Sequence, residues 1–338
     1  MYGLLQQKTP DYTVAKVHLG QKLFYENGLS VNRAMSCGSC HNPDMAFTDG
    51  YRRSKGTFAD LHKRNAPSLV NVSTQRYLNW ADPHVSSLED QMTTPLFGNH
   101  PIEMGLDSTD VSTINTIASN REYRTLFLKA FPDEEEPVSW RNIKSSIAAF
   151  VSGINSYNSP YDRYLKGDTF AISEAAKQGK KLFFSHRFNC SSCHVAPVFG
   201  ASNALPFAMQ YHNKGLYHIN GNYPAEDQGL YEVDKIPGNK GKFKTPSLRN
   251  LSFTSPYFHD GSVDTIGEAV QISLDGGRNV TVGDKRGDGR KNPYKSPLIK
   301  TIKATALEKQ QLIAFLETLN DSTISVNSRF RKPDDKDL

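Results

Sequence analysis

The sequence has 338 residues, and this length allows two domains of ordinary size, each with its own core. With 37% hydrophobic and 22% charged residues the composition is that of a globular protein, and no apolar stretch approaches the roughly 20 residues that cross a membrane. The formal net charge of +5 comes from interspersed charges rather than from one basic block, so the sequence predicts no nucleic-acid partner.

Four segments have apolar residues at helical spacing and predict most of the ordered structure. They are residues 19–25 (LGQKLFY), 140–154, 178–184 (QGKKLFF) and 306–319. The turn-rich residues 155–162 (NSYNSPYD) mark a predicted domain junction. Residues 199–244 show no clear periodicity and predict a long irregular loop, which in a compact protein is more often functional than idle.

The four cysteines form two Cys-x-x-Cys-His motifs, with Cys37, Cys40 and His41 in the first and Cys190, Cys193 and His194 in the second. Two thiols at this spacing reach the two vinyl groups of a heme, and the adjacent imidazole can bind the iron as its proximal ligand. A zinc site would have to combine pairs that are far apart in the chain, and neither zinc nor a redox dithiol explains the histidine after each pair. The sequence therefore predicts two covalently attached c-type hemes.

Each heme motif follows one of the two similar helical segments, which predicts a duplicated unit. We expect a mainly α fold with two cytochrome c-like heme domains and long irregular loops, formed by residues 1–155 and 156–338. The motif at His194 would lie within the second domain, wrapped by the irregular residues 199–244.

The start of the chain bears on where the protein works. C-type hemes are normally attached outside the cytoplasm, yet the chain does not open with a basic segment followed by an apolar run. We therefore expect a periplasmic protein whose signal peptide is absent from the numbered chain.

Six further segments point to a known family: residues 64–71 (RNAPSLVN), 80–82 (WAD), 88–95 (LEDQMTTP), 101–105 (PIEMG), 243–250 (FKTPSLRN) and 254–262 (TSPYFHDGS). With the heme motifs, they resemble the bacterial diheme cytochrome c peroxidase and MauG superfamily over nearly the whole chain. Four runs are most similar to the MbnH-like diheme enzymes: residues 80–83 (WADP), 95–98 (PLFG), 211–217 (YHNKGLY) and 275–278 (DGGR).

The resemblance implies that hydrogen peroxide reacts at the first heme, with His41 as proximal ligand. Glu103 matches the family's distal glutamate, a carboxyl group that takes a proton from peroxide and returns it to the leaving oxygen. Gln91 matches the distal glutamine that hydrogen-bonds oxygen at the iron, and Pro95 matches a residue that limits the space above it. Trp80 matches the tryptophan that carries charge between the hemes.

The second heme departs from the family pattern. Its proximal ligand is His194, but Ser273 stands where the peroxidases have a methionine and the MauG-like enzymes a tyrosine. Serine is a poor iron ligand, so either a nearby tyrosine or histidine replaces it, or the iron carries water or is open. The candidates in this neighbourhood are Tyr211, His212, Tyr217, His218 and His259. By resemblance His259 is rather a hydrogen-bond partner of a heme propionate.

A calcium site is also implied by the resemblance. Asn65, Thr254 and Pro256 match the family's calcium ligands, the last two through backbone carbonyl groups. Hard oxygen ligands suit Ca²⁺, and water molecules would complete the coordination. The resemblance therefore predicts one bound Ca²⁺ ion.

Three functions remain open at this point. In the first, peroxide produces a high-valent two-heme state that oxidises a residue of a docked protein, as the MbnH-like enzymes convert a tryptophan of a copper-binding partner to kynurenine. In the second, a cytochrome c peroxidase reduces peroxide with electrons from a small cytochrome. That function predicts a methionine ligand and a gating histidine, but Ser273 replaces the methionine and only His62 lies near the gating position. The third is a pure electron carrier, against which Gln91 and Glu103 argue.

Overall fold

A computed structural model describes residues 12–333, and the chain divides into two compact units. The first unit combines the described parts of residues 1–78, 85–156 and 322–338, and the second combines residues 79–84 and 157–321. The fold is mainly α with long irregular loops, as the sequence predicts, and has only short strands in the described chain. No helix within residues 12–333 is long and apolar enough to span a membrane.

Four helices of eight residues or more form the framework of the first unit: α1 (Val14–Phe24), α2 (Ser112–Ser119), α3 (Arg121–Ala130) and α4 (Trp140–Ser152). Helix α1 packs against α3 and α4. Its N-terminus is capped by Thr13, and Ser139 caps α4 by accepting a hydrogen bond from the Asn142 backbone at 3.2 Å. Shorter helical segments are Asn27–Leu29, Cys37–Cys40, Pro43–Met45, Val72–Thr74, Leu88–Gln91, Thr93–Phe97, Thr323–Val326 and Ser328–Phe330.

Three longer helices belong to the second unit: α5 (Glu174–Phe183), α6 (Ile266–Leu274) and α7 (Ala306–Glu317). The irregular region contains strands β1 (Tyr211–Asn213) and β2 (Lys242–Lys244), which pair antiparallel with Tyr211 opposite Lys244, and β3 (Asn279–Val280) pairs with β4 (Gly287–Asp288). The Lys244 backbone also donates to the Trp80 carbonyl at 2.8 Å, which attaches residues 79–84 to this unit. Shorter helical segments are Pro160–Leu165, Cys190–Ser192, Phe207–Met209, Tyr231–Asp234, Pro237–Asn239, Leu251–Phe253 and Gly289–Lys291.

A glycine permits the main helix contact in each unit. In the first unit α1 meets α4 at Gly20, where an added Cβ would lie 1.8 Å from the Ser146 carbonyl oxygen. In the second unit α5 meets α7 at Gly179, where an added Cβ would lie 1.8 Å from the Gln311 carbonyl oxygen. The repeated glycine before Lys-Leu-Phe in the sequence therefore has the same cause in both units: two helix backbones approach too closely for any side chain.

A fully buried ion pair fixes the loop after the second heme motif. The Arg249 guanidinium donates to both carboxylate oxygens of Asp162, at 2.8 and 2.9 Å, and to the Pro197 carbonyl at 2.7 Å. Burial alone would raise the pKa of Asp162, but the hydrogen bonds from Arg249 hold it below its usual value. Removing one partner would leave an uncompensated buried charge, so the pair holds the 243–250 segment close to the loop after His194.

We expect Gly179→Ala to lower the free energy of unfolding by about 2 kcal/mol or more, because the new methyl group must push the α5 and α7 backbones apart. Gly267→Ala in α6 is the matched control. Its nearest neighbour would be Ile313 Cδ1 at 3.9 Å, so alanine should be neutral or stabilising by at most about 1 kcal/mol. Denaturant unfolding of the heme-loaded protein measures both, and equal stability of the two variants would contradict this account of the helix contact.

Candidate functional site

The first heme motif forms a single helical turn followed by its histidine. Cys37–Cys40 is helical, and Nδ1 of His41 lies 2.9 Å from the Phe47 carbonyl oxygen. A carbonyl oxygen only accepts hydrogen bonds, so Nδ1 must carry the proton and Nε2 presents its lone pair. Burial lowers the pKa of His41, which favours the neutral imidazole that can bind iron.

The second heme motif has the same arrangement. Nδ1 of His194 lies 3.0 Å from the Phe199 carbonyl oxygen and 3.2 Å from that of Pro246. Burial, and then the nearby charge of Lys214, lowers the pKa of His194 to about 4. This imidazole is therefore neutral at neutral pH and also presents Nε2.

The two carbonyl groups that orient these histidines belong to unusual backbone positions. Phe47 and Phe199 are completely buried and have φ angles of 62° and 53°, in the left-handed region that non-glycine residues rarely adopt. This conformation directs each carbonyl group back toward the histidine. The residue type does not predict a left-handed backbone conformation at phenylalanine. The only feature of the sequence that could have indicated this contact is a phenylalanine five or six positions after each histidine.

The cysteines fit heme attachment at both motifs. All four are free thiols, and burial is the main cause that raises the pKa to about 12 for Cys37 and Cys40 and to about 11 for Cys190. Between residues 12 and 333 no group of three or more His, Cys, Asp or Glu side chains could hold a metal ion, so a zinc site has no support there. Each motif thus offers two thiols and one neutral imidazole, the set that a c-type heme requires.

Glu103 acts electrostatically on the first motif. After burial, its charge is among the causes that raise the pKa of Cys37 and of Cys40. The Glu103 side chain is 28% exposed, and burial raises its own pKa to about 7. The carboxyl group can therefore both accept and release a proton near neutral pH.

Backbone hydrogen bonds join the Glu103 loop to the segment of Pro95. The Met104 backbone donates to the Pro95 carbonyl at 2.9 Å, and the Thr57 backbone donates to the Glu103 carbonyl at 2.8 Å. Pro95 lies in Thr93–Phe97, and Gln91 ends the preceding segment Leu88–Gln91 one turn earlier. The three predicted distal residues therefore belong to the same unit as His41, and their roles above the heme remain predictions.

His62 is a further group at this site. Its Nδ1 lies 3.6 Å from Glu103 Oε1, and its backbone donates to the Ser54 carbonyl at 2.9 Å. Burial lowers the pKa of His62, so a neutral imidazole faces a carboxyl group that titrates near neutrality. From the sequence alone, His62 is related only to the gating histidine of the peroxidases. Its contact with Glu103 could not be predicted, because the two residues are 41 positions apart in irregular chain and no periodic pattern links them.

Trp80 is buried in the second unit, 9% exposed, within an aromatic cluster. It packs in one hydrophobic cluster with Tyr217, Tyr223 and Phe243. This environment fits both a core aromatic residue and a residue that carries charge. Its part in charge transfer remains a prediction.

The predicted calcium ligands belong to different units of the chain. Asn65 lies in the first unit, where its side-chain amide donates to the Tyr51 carbonyl at 2.7 Å. Thr254 follows the helical segment Leu251–Phe253 in the second unit, and Pro256 follows a cis peptide bond with Ser255. The Ca²⁺ ion remains a prediction.

Ser273 and two of the candidates for the second ligand of the second heme, Tyr217 and His259, make other interactions. Ser273 Oγ donates to the Ala269 carbonyl at 2.8 Å within α6. The Tyr217 hydroxyl donates to Asp260, and the His259 ring stacks on Phe243 with ring centroids 3.6 Å apart. Ser273 is thus turned toward its own helix backbone, as serine in a helix commonly is, and not toward a cofactor.

The side chain of His212 also makes hydrogen bonds within the protein. Its Nε2 lies 2.9 Å from the Met209 carbonyl oxygen, and its Nδ1 lies 3.1 Å from Ser296 Oγ. The proton must lie on Nε2, because a carbonyl oxygen cannot donate, and Nδ1 accepts from the Ser296 hydroxyl. Both ring nitrogens are therefore engaged within the protein.

The sequence and the fold are similar to those of known proteins. A sequence model described as di-haem cytochrome c peroxidase matches residues 14–170. MauG of Methylorubrum extorquens, a methylamine utilization protein, is 30% identical over 312 residues, which cover 92% of this chain and 80% of that protein. The cytochrome c551 peroxidase of Pseudomonas aeruginosa is 32% identical over 254 residues, covering 75% and 70%.

A solved crystal structure extends the comparison to three dimensions. A MauG-like protein associated with microbial copper homeostasis superposes with a TM-score of 0.90 at 41% identity, covering 95% of this chain and 94% of that one. These similarities confirm the superfamily that the sequence motifs predict. The chain therefore belongs to the diheme cytochrome c peroxidase and MauG family and is a heme peroxidase-type oxidoreductase.

Proposed function

We propose that this protein uses hydrogen peroxide to oxidise a residue of a partner protein through two c-type hemes. The observation that carries the proposal is the placement of Glu103, with a pKa of about 7, at the first heme motif beside His62. Similarity to MauG and to the MauG-like protein associated with copper homeostasis supports the oxidation of a protein substrate. The residue oxidised would be a tryptophan converted to kynurenine, on a copper-binding partner.

The proposed setting follows from the heme motifs and from the family resemblance. We place the enzyme in the periplasm, because c-type hemes are attached outside the cytoplasm. A Ca²⁺ ion would bind at Asn65, Thr254 and Pro256 and support the fold. The partner would be recognised by its surface rather than enter a pocket, so oxidation must act over a distance.

The chemistry at the first site is a proton transfer by this chain's own groups. The bound hemes supply one iron that reacts with peroxide and a second that stores oxidising equivalents. Glu103 in its ionised form accepts the proton of the incoming peroxide and then returns it to the leaving oxygen. Over a full turnover the oxidised residue of the partner supplies two electrons and two protons for each peroxide, which leaves as two water molecules. Neutral His62, 3.6 Å away, supports the carboxyl group without fixing it in the charged state.

We expect Glu103→Gln to slow the reaction of the diferric protein with peroxide by at least about 100-fold, because the amide cannot accept the proton. In the wild-type protein the rate should rise with pH through about 7, since the base is the ionised form and burial raises the pKa of Glu103 to that value. The variant should lose this inflection. Stopped-flow absorption spectroscopy from pH 5.5 to 8.5 measures both.

Asp107→Asn serves as the control. Asp107 lies four positions along the same loop, is exposed, and makes its hydrogen bonds to Thr109. Its substitution should leave the rate and the pH profile unchanged, and mass spectrometry should find two hemes in each variant. A Glu103→Gln protein that reacted at the wild-type rate would exclude the carboxyl group as acid and base.

Cytochrome c peroxidase activity is the second candidate, favoured by the 32% identity to the Pseudomonas aeruginosa enzyme. The two functions differ in the redox state that reacts. We expect the fully oxidised protein to consume one equivalent of peroxide within seconds without a reductant, since Glu103 already lies at the first motif. If peroxide reacted only after one heme had been reduced, the peroxidase would be the correct assignment. Stopped-flow mixing of diferric and half-reduced protein distinguishes them.

A further inference from the structure

The chain returns from the second unit to the first at its end, where residues 322–338 are grouped with the first unit. We call the described part of this segment, residues 322–333, the C-terminal strap. Its helical segment Thr323–Val326 packs against Pro43–Met45, the turn that follows His41. The strap thus contacts the loop between the first heme motif and the carbonyl group that orients its histidine.

Phe330 of the strap packs against the residue that orients His41. The rings of Phe330 and Phe47 meet edge to face with their centroids 6.1 Å apart, and Phe24 of α1 contacts Phe47 in the same way at 6.2 Å. Phe47 is completely buried and has a left-handed backbone. Such a backbone is strained at a residue other than glycine and persists only where the surrounding structure holds it. Phe330 therefore helps to keep the Phe47 carbonyl group in place.

A second contact joins the strap to the heme-binding turn itself. The Tyr25 hydroxyl donates to the Phe330 carbonyl, and the Tyr25 ring lies against Gly38, where an added Cβ would be 2.5 Å from Tyr25 Cδ1. Gln21 of α1 donates its side-chain amide to the Arg331 carbonyl at 2.8 Å. The strap backbone is thereby anchored on α1 and its last residue, and Phe330 connects both sides of the first motif.

Arg331 adds an ion pair at the surface. Its guanidinium donates to Asp44, in the turn after His41, and to the Ser325 carbonyl within the strap. The side chains of Arg331 and Asp44 are 44% and 55% exposed. Because an ion pair in contact with water contributes little to stability, the ring of Phe330 is the more important contact between the strap and this loop.

The second motif is held by its own unit. Phe199 occupies the place there that Phe47 has at the first motif. The aromatic rings around Phe199 are those of Tyr161, Phe183, Phe184 and Phe315, all in the second unit. His194 has two carbonyl groups near Nδ1, whereas in the part of the chain that the structure describes His41 has the Phe47 carbonyl alone. The orientation of His41 thus depends on one hydrogen bond, whose acceptor is held in part by the end of the chain.

We propose that Phe330 is a positioning residue for the first heme: the C-terminal strap holds the Phe47 carbonyl on Nδ1 of His41 and thereby sets how strongly this imidazole donates to iron. A hydrogen bond at Nδ1 raises the basicity of the ligating nitrogen, and loss of such a partner typically costs about 10- to 100-fold in activity. The inference rests on the proposed function only where the rate of the peroxide reaction is measured. The spectrum and the reduction potential of the first heme test it without peroxide.

Three variants of the strap test the proposal. Phe330→Ala should raise the reduction potential of the first heme and lower its iron–histidine stretching frequency in resonance Raman spectra of the ferrous protein, because His41 becomes a weaker donor. It should also slow the peroxide reaction by about 10-fold. Phe330→Leu keeps most of the apolar contact and should restore much of each value. Arg329→Ala is the control: Arg329 is exposed and adjacent in the chain, so its substitution should change none of them.

Hydrogen exchange of the backbone, followed by mass spectrometry, supplies a readout that does not depend on the heme spectrum. Phe330→Ala should speed exchange in residues 42–48, where the Phe47 backbone donates to the Asn42 carbonyl at 2.8 Å, and should leave residues 195–200 at the second motif unchanged. If Phe330→Ala retained fewer than two hemes, Tyr25→Phe would decide. It removes only the hydroxyl that anchors the strap, and should lower the Raman frequency by a smaller amount.

Three results would overturn the proposal. The first is a wild-type Raman frequency and potential in Phe330→Ala. The second is an equal change at both hemes in that variant, which would indicate a general loss of stability. The third, where Phe330→Ala cannot hold both hemes, is an unchanged frequency in Tyr25→Phe. Failure of the proposed function looks different, since the wild-type diferric protein would then not react with peroxide, whatever the Raman spectra of the variants show.

Discussion

The hydrogen bond between each motif histidine and a phenylalanine carbonyl is the constraint on which both sites depend. It places the proton on Nδ1, orients the ring and leaves Nε2 for iron, at His41 as at His194. A left-handed backbone at Phe47 and Phe199 makes the contact possible, and complete burial of both side chains holds that backbone in place. The helix crossings at Gly20 and Gly179 then supply a rigid support around each motif.

From this common plan the two units differ in their electrostatics. At the first motif the nearby ionisable groups are Glu103, whose pKa of about 7 allows proton exchange, and His62, whose pKa is lowered by burial. At the second motif the charge of Lys214 is, after burial, the next cause that lowers the pKa of His194. The first environment suits a reaction that moves protons, as the proposed function requires. One duplicated scaffold can thus carry two different environments.

The sequence predicts the helices, because their apolar residues recur at a regular spacing. It does not predict contacts between side chains that are far apart in the chain. Helices at 140–154 and 306–319 follow from apolar spacing and appear as Trp140–Ser152 and Ala306–Glu317. Glu103 could be identified only through its family motif, and its pKa needs the surrounding chain. The contact of His62 with Glu103 and the position of Lys214 both arise in irregular segments, where no period marks which side chain faces inward. The departure at Ser273 shows that a ligand is missing but not what replaces it.

Buried ionisable groups in this chain are of two kinds: those paired with an opposite charge, which stabilise the fold, and those without such a pair, whose pKa values are shifted. Asp162 is buried with Arg249, which supplies two hydrogen bonds and keeps the carboxyl group ionised. Glu103 and Lys214 are desolvated without such a partner, so the pKa of the acid rises and that of the amine falls. Each shift is a cost to stability, because the charged form is disfavoured in the folded state. A chain gains from that cost only where the proton is used, and Glu103 acts on the first heme motif, where the proposed function needs a proton acceptor.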